Sequence, residues 1–160
     1  MVQPLDVNDV LVLDGLVYQI TKVQRMRDKE TVSLAANTSA IINDLKQNLT
    51  PDNDQVYFLE EFTFTGPTTH MLQYPKGNPI NTPHGLDMEM EEWMTPWLLN
   101  LFIKPATYPT LVSSNPVNAI ISQDIWFFGY IYWIQVITTD QAAALVEAGG
   151  KQLPVTTGGP

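Results

Sequence analysis

Alternating apolar and polar positions divide the first third of the chain into strands. Residues 9–23, DVLVLDGLVYQITKV, hold two Val-, Leu-, Ile- and Tyr-rich runs on either side of Asp14-Gly15. Asp-Gly accepts the positive φ angles of a tight type I′ turn, so the pair predicts a two-residue hairpin. A third apolar patch, residues 31–35, reads as a returning strand after the polar run RMRDKE, which this pattern places at a tip or loop. In SAIINDLKQN, residues 39–48, Ile41, Ile42 and Leu45 fall at helical spacing behind Ser39, which predicts a short helix ended by Pro51. Residues 56–65, VYFLEEFTFT, are aromatic and β-branched and predict a strand whose alternation slips at Glu60-Glu61, as a bulge would make it do.

The hairpin spacing of the first quarter resembles the opening meander of a small SH3-like barrel; the resemblance implies no function. From Gly66 to Gly85 the chain reads as a long proline-rich loop, the kind of segment that forms a functional arm or a link. Asp87 can cap a short helix carrying Glu89, Glu91 and Glu92 in its first turns, where the helix N-terminus favours acids, with Met90, Trp93, Met94 and Trp97 on one face until Pro96 breaks it. LLNLFI and TLVSS read as strands. TTDQAAALVEAGG, residues 138–150, predicts a helix that begins at Thr139 or Asp140 and ends at Gly149-Gly150, and residues 151–160 have the composition of a tail. The expected fold is therefore mainly β: one domain over residues 1–160, a small barrel or sandwich with an N-terminal hairpin meander, two or three short helices, an extended loop over 66–85 and a tail over 151–160.

Residues 125–137, IWFFGYIYWIQVI, carry six aromatic side chains and no charge. Thirteen residues fall short of the roughly 17 to 25 that a membrane-spanning helix needs, and β-branched and aromatic types dominate. Read as a strand, Trp126, Phe128, Tyr130, Tyr132, Ile134 and Val136 share one face, and Phe127, Ile131, Trp133 and Ile137 share the other. Both faces are apolar, so both need a cover. Gly129 is the natural place for a bulge or a close backbone approach. The second cover can come from this chain, from a neighbouring subunit, where Tyr and Trp are enriched, or from a ligand such as a sugar.

Composition narrows the function. Charged residues are 16% of the chain against a typical share of about 25%, and the formal net charge is −9. That sign opposes attraction to phosphate backbones, so nucleic acid is not the expected direct partner. Against the background stand Lys22, Arg25, Arg27 and Lys29, half of all the basic residues within eight positions. Such a run is most simply a solvated surface; its alternative is a docking patch for an acidic one. With no cysteine there is no disulfide, zinc–thiolate or thiol chemistry. The two histidines, His70 and His84, fall in the proline-rich loop, and His84 with Asp87, Glu89, Glu91 and Glu92 matches no metal-site spacing. The weakest functional alternative, a metal-dependent hydrolase using His70, His84, Asp87 and Glu91, rests on these alone. Nucleophile elbows, Walker loops and dinucleotide fingerprints are missing from the sequence, and no basic-then-apolar secretory leader is visible.

These features describe a non-enzymatic structural subunit of a large assembly of the virion type, a phage or virus capsid, vertex or head–tail protein, assembled in the host cytoplasm without a cofactor. Its partners would be copies of itself and other structural subunits. The expected interface comprises Trp126, Phe128, Tyr130 and Tyr132, with the basic Lys22, Arg25, Arg27 and Lys29 pairing between copies with the acidic Asp87, Glu89, Glu91 and Glu92. The alternative is a β-rich module that presents exposed aromatic residues to carbohydrate or peptide.

Overall fold

A computed structural model describes residues 5–64, 66–74 and 97–154. Nine strands and one helix follow in order: β1 (Val10–Leu13), β2 (Leu16–Leu34), β3 (Thr38–Asp44), β4 (Gln55–Phe64), β5 (Thr69–Gln73), β6 (Trp97–Ile103), β7 (Thr110–Asn115), β8 (Ile121–Ile137), α1 (Thr139–Glu147) and β9 (Gln152–Pro154). They form a six-stranded sheet, β6-β4-β8-β2-β1-β9, and a three-stranded sheet, β3-β7-β5. The mainly-β expectation holds: among the described residues there are two sheets and no closed barrel.

The β1–β2 turn is the predicted one. Asp14 and Gly15 have φ of 52° and 80°, and Leu13 pairs Leu16 across them. Beyond the turn β2 does not stop at RMRDKE, where the sequence predicts a tip or loop. It runs for 19 residues against β8, with a single register shift between Ile20 and Lys22. The polar run holds no glycine, proline or asparagine to turn the chain, and its neighbour is the unbroken aromatic strand. The charges of β2 therefore sit in mid-strand.

Residues 39–48 contribute a strand, β3, and then a turn, in place of the predicted helix. Ile41 packs on the core while Ile42 is exposed, an alternation of period two, and Ala40 takes a φ of 57° where the register shifts. The loop expected over 66–85 contains β5, whose His70 and Leu72 are buried, as is Tyr74 just beyond it. The tail begins with β9, which pairs β1 in parallel. Of the two or three helices expected, the described residues contain α1 alone; the one placed at Asp87 lies outside them. Its cap is Thr138, one residue before the predicted start, with a capping box to Gln141. At the other end Gly150 N–H donates to the Leu145 carbonyl and Gly149 N–H to that of Val146, the Schellman pattern that glycine favours. None of the described helices is long and apolar enough to cross a membrane.

The six-stranded sheet has an inner and an outer face. Ile125, Phe127, Phe62 and Phe64 on the inner face meet Leu72 and Leu111 from the smaller sheet, forming the main core. A second core lies on one half of the outer face, where Leu11, Leu13, Ile20, Phe58, Phe102, Tyr132 and Ile134 gather around Leu5. Curling of the sheet encloses it. Lys104, just past β6, reaches Asp14 in the β1–β2 turn at 3.0 Å, bringing the two sides of the sheet together. On the other half of the outer face, among the described residues, Trp126, Phe128 and Tyr130 are half-buried and Arg25, Arg27 and Lys29 are exposed, while Thr63 of β4 is buried.

Candidate functional site: the outer face of β2, β8 and β4

This half is built from three neighbouring strands in register. Arg25, Arg27 and Lys29 of β2 lie opposite Tyr130, Phe128 and Trp126 of β8. On the far side Tyr130 faces Phe58, Phe128 faces Glu61 and Trp126 faces Thr63 of β4. Each row thus runs from a cation through an aromatic ring to β4. Trp126, Phe128 and Tyr130 are half-buried, and the three cations are exposed.

Two local devices create this alignment. The extra residue in β2 at the Ile20–Lys22 shift changes its phase, so that Arg25, Arg27 and Lys29 fall on the outer face. The extra residue in β4, Glu60, does the same for the other neighbour, as its ladder with β8 shifts between Leu59 and Glu61. The bulge expected at Glu60-Glu61 is therefore present, and Gly129, opposite Leu59, is its counterpart. Gly129 also makes the expected close approach: a Cβ there would lie 1.8 Å from the Phe58 carbonyl oxygen.

Cations lie over the rings. Arg27 Cζ is 4.5 Å from the Trp126 ring centre and Lys29 Nζ 5.8 Å from it. Arg25 Cζ is 5.5 Å from the Tyr130 ring, and its Nη1 donates to the Tyr130 hydroxyl at 3.3 Å. Such contacts are worth about 0.5–1 kcal/mol at exposed sites. None of the three cations has a carboxylate at ion-pair distance among the described residues. In a chain of net charge −9 this row concentrates three of the eight basic residues on one strand face, with Glu61 of β4 the acid in register across Phe128.

Not every residue expected at this site joins it. Lys22 pairs Trp133 on the inner side of the shift and sits 4.4 Å over that ring. Tyr132 lies beneath the face, 1% exposed in the second core, where its hydroxyl accepts the Leu5 N–H at 3.0 Å and burial pushes its pKa up to about 12. Asp87, Glu89, Glu91 and Glu92, together with His84, lie outside the described residues.

Two polar groupings were missed in the sequence. His70, in β5, is 4% exposed between the sheets. Its Nδ1 is 2.7 Å from Ser113 Oγ, its Nε2 is 2.9 Å from Thr68 Oγ1 and 3.1 Å from Gln123 Oε1, and Thr68 donates to Gln123. A Ser–His pair of this kind invites a catalytic reading, yet Ser113 is 1% exposed and buried with the ring between the sheets. The signal was present as period two in His70, Leu72 and Tyr74, masked by the surrounding prolines. The second grouping is Asp28 and Glu30 on the inner face of β2. Burial raises both pKa values; for Glu30 the Asn48 amide, donating at 3.0 Å, works against that rise and the charge of Asp28 adds to it. Among the described residues no three His, Cys, Asp or Glu side chains converge as a metal site.

No family model and no curated protein matches the chain. Among solved structures it is similar to one described as "Structure of infectious bursal disease virus Gx strain", with a TM-score of 0.39 and 10% identity. The match covers 89% of this chain and 47% of that chain, so this chain spans about half the length of its neighbour. A likeness of that degree fixes neither family nor activity.

Proposed function

We propose that this protein is a non-enzymatic structural subunit of a large multi-subunit assembly of the virion type, capsid, vertex or head–tail, and that the outer face of β2, β8 and β4 is one of its assembly contacts. The observation that carries the reading is the stripe of Trp126, Phe128 and Tyr130, half-buried beside three exposed cations that have no carboxylate at ion-pair distance among the described residues. Tyr, Trp and Arg are the residues that dominate binding energy at protein interfaces, because they combine large apolar area with directed polar groups. A carbohydrate module needs free ring faces for sugars to stack on. Here Arg27 and Arg25 already lie over the rings of Trp126 and Tyr130, which favours the assembly reading.

Sedimentation at about 10 µM in low salt tests the proposal, because charge-assisted contacts between exposed groups weaken as salt screens them. Self-association, or co-sedimentation with another structural subunit, is expected. Replacing Trp126 and Tyr130 by alanine should weaken that association about 30-fold or more, the loss typical of an aromatic anchor. The melting temperature should change much less, since both rings are only half-buried. A chain that remains a folded monomer under these conditions, with and without candidate partners, defeats the reading.

A further inference from the structure

Resting on that reading, we infer that the occupant of the outer face is the acidic segment 87–93 of another copy of this chain. The face presents Arg25, Arg27 and Lys29 at every second residue of β2, a repeat of about 6.8 Å along an extended strand. Parallel to this row, Tyr130, Phe128 and Trp126 form an aromatic one on β8. The segment 87–93, DMEMEEW, carries Asp87, Glu89 and Glu91 at the same two-residue period, with Met88 and Met90 between them and Glu92 and Trp93 closing the segment. An extended chain lying lengthwise over the two rows sends alternate side chains to opposite sides. Bound in this extended form, rather than as the short helix its sequence also allows, the segment would bring Asp87, Glu89 and Glu91 to the cation row and Met88 and Met90 to the aromatic row, where a thioether gains from contact with ring edges.

Charge explains why the contact belongs here. Copies of a chain with net charge −9 repel one another, so association needs a local patch of opposite sign. The cations of this face are three of the eight basic residues, and segment 87–93 holds four acids and no base. One face and one segment per copy make a head-to-tail contact, which closes into rings or propagates into larger arrays.

Charge reversal tests the pairing. A face variant, Arg25→Glu, Arg27→Glu and Lys29→Glu, carries two acidic surfaces; a segment variant, Asp87→Lys, Glu89→Lys and Glu91→Lys, carries two basic ones. Each alone is expected to stay monomeric. Mixed in equal amounts they are expected to recover the sedimentation of the unmodified chain, because each face then meets a segment of opposite charge. Recovery on mixing is possible only if the contact joins different copies. A mixture that stays monomeric while both variants give folded circular dichroism spectra overturns the inference, as does normal assembly of either variant alone.

If the unmodified chain does not assemble at all, the proposed function fails and the pairing is read separately. A synthetic peptide of residues 86–94, titrated at low salt into the segment variant, is expected to bind about tenfold to a hundredfold more tightly than to a chain carrying all six substitutions, the sum of three exposed ion pairs. Equal binding to both overturns the pairing. Single-stranded oligothymidylate serves as the competing probe: tighter binding than the peptide at the same face would give the site to nucleic acid and overturn the inference.

Discussion

Gly129→Ala is expected to abolish cooperative folding. The added methyl would fall 1.8 Å from the Phe58 carbonyl oxygen and 2.9 Å from its carbonyl carbon, well inside any real contact, and both are backbone atoms that cannot rotate away. Relief requires moving β4 away from β8 at the centre of the large sheet. That movement would separate the paired residues on either side, Phe58 from Tyr130 and Phe62 from Phe127, which belong to the two different cores. A loss above about 4 kcal/mol follows, at the extreme of single-substitution effects and comparable with the whole stability of many domains. Urea unfolding followed by tryptophan fluorescence reads it. A Gly129→Ala protein that unfolds cooperatively within about 1 kcal/mol of the unmodified chain would show that β4 and β8 do not approach so closely at this bulge.

Gly129 also shows how sequence and structure relate in this chain. An interruption in an otherwise unbroken apolar strand, together with the slip at Glu60-Glu61, is enough to place a bulge and a close approach from sequence. The alternation within residues 125–137 likewise assigned Trp126, Phe128 and Tyr130 to one face, and the Asp14-Gly15 turn followed from local backbone chemistry. Where the reading failed, local preference was overridden by pairing with distant strands. RMRDKE is polar enough to be a loop, but lying beside β8 over 17 paired positions it continues as strand. Residues 39–48 contain a helical spacing of apolar side chains, yet β3 pairs β7, some 70 residues away in sequence, and only Ile41 of its two isoleucines is turned inward. The candidate site was half legible for the same reason. Its aromatic row could be read from one strand; that Arg25, Arg27 and Lys29 lie beside it depends on the register between β2 and β8, which no local pattern encodes. Lys22, one residue past the shift, shows how little separates membership from exclusion.

Stability is expected to fall by roughly 3 kcal/mol between about pH 6.5 and pH 4 through His70 alone. Burial between the sheets lowers its pKa from 6.5 to about 4, with the Gln123 hydrogen bond opposing that shift only in part. The hydrogen bonds define why a second proton is resisted. Thr68 uses its hydroxyl hydrogen on Gln123, so His70 Nε2 must donate to these two oxygens, and Nδ1 is left to accept from Ser113. A proton arriving at Nδ1 would force the Ser113 hydroxyl hydrogen away from the ring, in a site 1% exposed. Well above pH 6.5 the imidazole is neutral in both folded and unfolded chains and the contribution is complete. As the pH falls, the unfolded chain binds a proton that the native one refuses, so stability drops until the native pKa is reached. Asp28 and Glu30 act with the opposite sign, because their raised native pKa values let the folded chain hold protons that the unfolded chain releases. The difference between the unmodified chain and His70→Gln therefore isolates the imidazole, since the amide cannot titrate. Urea unfolding of both at pH 7, about 5.5 and about 4.5 should show the gap between them shift steadily against the unmodified chain on acidification. Parallel pH profiles would refute the account. Proton NMR of the unmodified chain gives the same answer without a substitution: the His70 ring must keep its neutral chemical shift at pH about 5, where an ordinary histidine is almost fully charged.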